Sequence, residues 1–170
     1  LGQRYDRWQL CAADDASTDP EIPELLRAYA ARDARIRLVT REENGHISRA
    51  TNSALALADA PWAAFFDHDD LLAPTALEET AAVIAARPGV RLIYSDEDKI
   101  DDDGVRRTPV FKPDFDFDLH SVGHLATYAT DLLRAVGGLR PGLEGSQDVD
   151  LSLRVTERID PRAVAHIPRV

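Results

Sequence analysis

The sequence predicts an α/β fold with a mainly parallel sheet, and three observations carry that prediction. Short apolar runs of strand length alternate with segments whose apolar residues recur at helical spacing. Two of these runs stop abruptly at aspartates. The unbroken apolar run at residues 62–66 reads as a strand buried on both faces, as strands of parallel sheets are. With 170 residues the chain suits one hydrophobic core, so it is read as a single domain over 1–170.

In chain order, residues 8–13 are apolar and are followed by DDASTDP, a strand ending in a turn. Ile22, Leu25, Leu26 and Tyr29 then mark one face of a helix that ends near Arg32. Residues 36–40 form a second strand before the Asn44-Gly45 turn, and Ile47, Ala50, Thr51, Ala54, Leu57 and Ala58 trace a second helix. Pro61 stops it, and the strand at 62–66 follows. Pro74 suits the first turn of a third helix whose core face is Leu77, Ala81 and Ile84, with Glu78 and Glu79 near its positive end. Pro88-Gly89 closes that helix and residues 90–95 make a fourth strand. Residues 96–117 are acidic and aperiodic and are read as one long excursion. A strand at 125–129, a short helix at 131–136 stopped by Gly137-Gly138, a helix at 148–158 and a strand at 164–167 complete the chain.

Composition excludes several classes. No apolar run approaches the roughly 20 residues that cross a bilayer, and a net charge of −10 argues against a nucleic-acid partner. Cys11 is the single cysteine, so no disulfide frames the fold and a reducing compartment fits. The acids cluster at Asp14 and Asp15, at 67–70, at 96–103 and at 114–118.

Three of the acidic features bear on chemistry. In FFDHDD the carboxylates of Asp67 and Asp69 follow a buried strand directly, where ligands bind in open α/β sheets. That spacing suits a hard cation, Mg²⁺ or Mn²⁺, which keeps sites free for substrate phosphates; a turn capping the next helix is the alternative. Asp14 sits at a second strand end, as a nucleotide contact or as an Asx turn. In GSQDVDLSLR a glycine loop runs into a helix with Asp148 near its start, where the dipole favours negative charge. It serves there as a general base or as a simple cap.

Taken in order, ADDAST, NGHISRATNSALALA, FFDHDD, IYSDEDKI and GGLRPGLEGSQDVDLSLR resemble the family 2 glycosyltransferases of the GT-A fold over nearly the whole chain. The stretch from YSDEDKI through FKPDFDFD to GSQDVDL is similar to bacterial members that build O-antigen and other surface polysaccharides, including rhamnosyltransferases. The resemblance implies a Rossmann-like sheet, a nucleotide-diphosphate sugar donor, a glycan or lipid-linked acceptor, a Mn²⁺ or Mg²⁺ cofactor and inverting transfer of a hexosyl or rhamnosyl unit. It implies that Asp14 contacts the base, that Asp67 lies near the ribose or the metal's water shell, and that Asp69 ligates the metal. It further implies that His46 lies beside the diphosphate and that Asp148 is the catalytic base. His166 matches a histidine that closes the metal shell in some relatives, or is a core or edge histidine. The place implied is the cytoplasm, at the inner membrane face through segments outside this sequence.

The pattern departs from the family at Gln147, where the family's pair carries a glutamate, and at Ala50-Thr51-Asn52, where relatives carry A-R-N. The family's first strand would precede Leu1, and relatives continue past Val170. The expectation is therefore a fragment with an exposed sheet edge prone to self-association. From other classes, the D-x-D could belong to a haloacid-dehalogenase-like phosphohydrolase, although Leu71 stands where that motif needs Thr or Val. A calcium loop at 99–104 fails because Lys99 holds its first ligand position. A non-catalytic relic of a glycosyltransferase is the remaining alternative.

Overall fold

A computed structural model describes residues 2–101, 103–117 and 122–170. Asp102 and Asp118, members of the acidic runs, lie outside the described residues. The elements are β1 (Leu10–Asp14), α1 (Glu21–Arg32), β2 (Ile36–Thr40), α2 (His46–Leu57), β3 (Trp62–Ala64), α3 (Ala76–Ala86), β4 (Leu92–Ser95), β5 (Glu97–Ile100), β6 (Arg106–Val110), β7 (Ala126–Ala129), α4 (Thr130–Ala135), α5 (Gln147–Thr156) and β8 (Val164–Ile167). The predicted alternation is present, and no helix among the described residues is long and apolar enough to cross a membrane.

The hydrogen-bonded ladders form a parallel pair, β1 with β2, and a four-stranded sheet in the order β3-β7-β4-β8. In the latter β4 and β8 run parallel, and β7 runs antiparallel between β3 and β4. Among the described residues, β1 and β3 each have one edge without a ladder.

Strand β4 shows why its residues are buried. Leu92 and Tyr94 point to one face and Ile93 to the other, the two-residue period of a strand covered on both sides. On the first face they join Tyr128, Leu133, Leu151 and Val155, contributed by β7, α4 and α5, in the larger core. On the second, Ile93, Val90, Ala165 and Ile167 pack under Val83 and Ile84 of α3.

Three expectations are corrected. The excursion at 96–117 contains an antiparallel hairpin, β5 with β6. Every residue of β6 is exposed, so no alternation of polar and apolar residues marks it. Strand β3 ends at Ala64, with Phe65 and Phe66 beyond the ladder. Helix α1 has the predicted amphipathic spacing, yet Ile22, Leu25 and Tyr29 are 42%, 55% and 41% exposed.

Helix α2 is tied to the chain following α4 by Asn52. Its amide donates to the Leu139 carbonyl at 2.8 Å and its oxygen accepts from the Leu139 N–H at 2.9 Å. The departure at Ala50-Thr51-Asn52 thus retains an asparagine whose partner is backbone. Gly138 has φ +68, and a Cβ there would stand 2.3 Å from the Asn52 side-chain oxygen. Gly138→Ala is expected to lower stability by more than the roughly 1–2 kcal/mol of the left-handed backbone alone. Chemical denaturation would check this, and a loss no larger than that backbone cost would show that Asn52 moves aside freely.

Candidate active site

The ends of β1 and β2 are locked together by their own acids. Asp14 is buried, its Oδ1 accepts from the Ser17 N–H at 3.1 Å, and its carbonyl accepts from the Arg41 N–H at 2.9 Å. Asp15 takes the Arg41 guanidinium at 2.7 Å and the Gly45 N–H at 3.0 Å. The Asx-turn reading of Asp14 therefore describes its present bonds. His46 opens α2 with φ +59 and an exposed side chain. Glu144, in the loop ahead of α5, is held below the usual carboxylate range, first by the Gly142 N–H and, among smaller effects, by the charges of His46 and Arg49. The start of α2 thus faces the loop that leads into α5.

Beyond β3 the chain turns through 67–70, with the Asp70 N–H donating to the Asp67 carbonyl at 3.2 Å. Asp67 is half-buried and Asp69 is exposed, making no hydrogen bond or ion pair to the described residues. Neither acid caps α3, which begins at Ala76 behind Thr75 without a side-chain cap. Across from this turn stands His124, in the segment ahead of β7. Its Nδ1 lies 3.4 Å from Asp70 Oδ2, and ligand atoms of Asp67, Asp70 and His124 lie within 4.8 Å of one another. Such a set, two carboxylates and an imidazole open to solvent, fits a divalent cation.

Asp148 lies in the first turn of α5. The N-cap is Ser146, with no side-chain cap bond, and the Asp148 side chain makes no hydrogen bond or ion pair to the described residues. Its neighbour Asp150 is instead spent on Arg154, at 2.6 Å, and on Arg140, at 3.2 Å. Arg154 also donates to the carbonyls of Val136 and Gly138, which fixes the helix against the end of α4. Gln147 Oε1 accepts from the Gly145 N–H at 2.6 Å.

A solvent-open pocket joins Asp67, His124 and Asp148, while Asp14, His46 and Asp69 are not among its lining residues. Ile47 and Thr51 of α2, Phe65 and Asp67 after β3, Gly123 and His124 ahead of β7, and Gln147 and Asp148 of α5 line it. Tyr128 is part of its floor, with its phenol pushed well above the usual range by burial first and by the Asp148 charge second. The structure therefore brings Asp67 and Asp148 to one cavity with His124, which the sequence reading missed. A lone histidine carries no periodic signal, and its imidazole meets Asp70 only through the tertiary fold.

His166 is elsewhere. Strand β8 lies three strand spacings from β3, about 14 Å. Its Nε2 bonds Asp96 Oδ1 at 2.8 Å, its Nδ1 is 3.6 Å from Asp114, and its ring stacks on Tyr94 at 4.8 Å. The Tyr94 hydroxyl donates to the Pro113 carbonyl at 2.6 Å, and burial, then Asp114 and Asp96, push its phenol up to about 12. This buried group pins the start and end of the hairpin segment to the sheet.

The model of the family "Glycosyl transferase family 2" matches residues 1–130. The chain is 48% identical over 172 residues to the uncharacterized protein y4gI of Sinorhizobium fredii, covering 99% of this chain and 19% of that one. It is 39% identical over 169 residues to the O-antigen biosynthesis protein RfbC of Myxococcus xanthus, covering 97% and 13%. The chain thus spans about a fifth or less of these two relatives. Among solved structures it resembles S. aureus TarS in complex with UDP, with a TM-score of 0.77 at 18% identity, over 98% of this chain and 51% of that one. It also resembles the mannosyltransferase PcManGT from Pyrobaculum calidifontis in complex with GDP-Man and Mn²⁺, with a TM-score of 0.69 at 22% identity, over 98% and 50%. These likenesses set aside the phosphohydrolase alternative and establish the fold as GT-A. The chain belongs to glycosyl transferase family 2.

Proposed function

We propose that this chain forms the donor site and catalytic base of an inverting, metal-dependent glycosyltransferase. It moves a hexosyl or rhamnosyl unit from a nucleotide-diphosphate donor to a glycan or lipid-linked acceptor in bacterial surface polysaccharide synthesis, on the cytoplasmic side of the membrane. The observation that carries the reading is the pocket lined by Asp67 and by Asp148, whose side chain is unpaired among the described residues. RfbC, named for O-antigen biosynthesis, the UDP of TarS, and the GDP-Man and Mn²⁺ of PcManGT support it.

Asp67, with the neighbouring carboxylates Asp69 and Asp70, would hold the cation. When bound, Mn²⁺ or Mg²⁺ neutralises charge on the departing diphosphate. The residues at the β1 and β2 ends, Asp14 and His46, would face the nucleotide side. Asp148 accepts the proton of the acceptor hydroxyl as that oxygen bonds the anomeric carbon and the bond from that carbon to the diphosphate breaks. The proton ends on Asp148 and the electron pair leaves with the diphosphate, which inverts the anomeric configuration. Self-association through the edges of β1 and β3 that carry no ladder among the described residues belongs to the same proposal.

Calorimetry of the intact protein with UDP-, GDP- and dTDP-sugars, with and without Mn²⁺, tests the reading. One nucleotide class is expected to bind, and only with the cation present. Equal binding after chelation of all metal would overturn the metal-dependent form.

A further inference from the structure

We propose that His124 closes the ligand set of the donor-bound cation from the wall opposite Asp67, and that buried Lys112 is the positioning residue that holds it there. The inference rests on the metal-dependent reading above and adds to it two residues outside the D-x-D turn.

His124 faces the turn with a ligand-bearing atom already near two carboxylates. Donor atoms around one small divalent ion stand roughly 3 to 4.3 Å apart, as bonds of about 2.1 Å in an octahedron require. The 4.8 Å limit that encloses Asp67, Asp70 and His124 leaves only a small side-chain adjustment.

The backbone of His124 is held from behind on both of its polar groups. Its N–H donates to Glu97 Oε2 at 3.2 Å, and its carbonyl accepts a short hydrogen bond from Lys112 Nζ. The same ammonium donates to the Val122 carbonyl at 3.2 Å and pairs with Glu97 Oε2 at 2.8 Å. All three donors of Lys112 are thereby used, which is what lets an ammonium persist with its side chain only 5% exposed. Lys112 is itself anchored, since its N–H donates to Asp96 Oδ1 at 2.9 Å.

Gly123 is the residue that allows this approach. It has φ +48, and a Cβ would stand 3.0 Å from Lys112 Nζ and 3.2 Å from Glu97 Oε2. The clamp spans the base of the hairpin and the cavity wall. An ion pair with its lysine buried and its glutamate 36% exposed contributes little net stability. Its consequence here is geometric: with the backbone of His124 fixed, the imidazole starts from one side of the cavity only.

The test uses Mn²⁺ bound to the intact protein with nucleoside diphosphate, read by electron paramagnetic resonance. Wild type is expected to show nitrogen coupling to Mn²⁺ in pulsed spectra, lost in His124→Ala and kept in His166→Ala. The Mn²⁺ Kd is expected to rise by about 10- to 100-fold in His124→Ala, and by a similar factor in Lys112→Met. Combining the two substitutions should add little, because Lys112 acts through His124. If Lys112→Met alone fails to fold, Lys112→Met with Glu97→Gln removes both charges of the pair and carries the same expectation.

Nitrogen coupling that survives His124→Ala, or an unchanged Kd in a protein whose Asp67→Asn variant no longer binds Mn²⁺, would overturn the inference and leave the function standing. Full additivity of the two substitutions would overturn the positioning role. A wild-type protein that binds no Mn²⁺ in the presence of nucleotide would overturn the underlying reading as well.

Discussion

Asp148→Asn in the intact protein is expected to lower kcat by about 10²- to 10⁴-fold while leaving donor affinity near that of wild type. The asparagine keeps the size of the side chain and removes its ability to take a proton. The fold should be kept, because the Asp148 side chain makes no hydrogen bond or ion pair to the described residues and the helix does not rely on it as a cap, while the Tyr128 phenol loses the charge that helps to push it up. Asp150, one turn from Arg154, continues to hold α5 in place. Donor binding is proposed to draw on Asp67, a different lining residue of the same pocket, so the two quantities are expected to separate. Donor affinity by calorimetry, transfer by product formation and anomeric configuration by NMR check the three parts. Transfer at near wild-type rate, or a product that retains the donor's configuration, would remove Asp148 from the mechanism.

Asp67→Asn is expected to abolish cation-dependent donor binding, a weakening on the order of 10²-fold or more. Residues that merely support a metal ligand are worth 10- to 100-fold in metal affinity, and a direct contact should exceed them. Asp67 is half-buried between the turn and the cavity, and its main-chain carbonyl, which accepts from the Asp70 N–H, is untouched by the substitution. The turn should therefore keep its shape while losing charge. Far-ultraviolet circular dichroism would confirm the fold, and calorimetry with and without Mn²⁺ would measure the loss. Donor affinity that keeps its full metal dependence in Asp67→Asn would move the cation away from this turn.

Much of the architecture is legible in the chain itself. Apolar runs and helical stripes mark each of the principal strands and helices, because burial of a face imposes its period on the residues that face it. The position of Asp67 after a strand and of Asp148 in the first turn of a helix is likewise local. What local pattern records is that a face is covered, not by what. The direction of β7 leaves no trace in its residues, since a strand covered on both faces reads the same either way. The exposed β6 leaves no alternation to read, and α1 shows the opposite failure, an amphipathic stripe whose Ile22, Leu25 and Tyr29 remain largely uncovered.

The site divides along the same line. Sequence alone determined the family resemblance, the order of the elements outside the hairpin at 97–110 and the two carboxylates that the pocket brings together. Tertiary structure decided which histidine belongs beside them. His166 is paired with Asp96, 70 positions earlier in the chain, across neighbouring strands of the sheet. His124 instead meets Asp70 because Glu97 and Lys112, from the two ends of a hairpin, hold its backbone against the cavity. Ionic and hydrogen-bonded contacts fall off within a few ångströms, so they are fixed by distance in space. Residues 27 and 12 positions away from His124 reach that distance only after the hairpin has folded back.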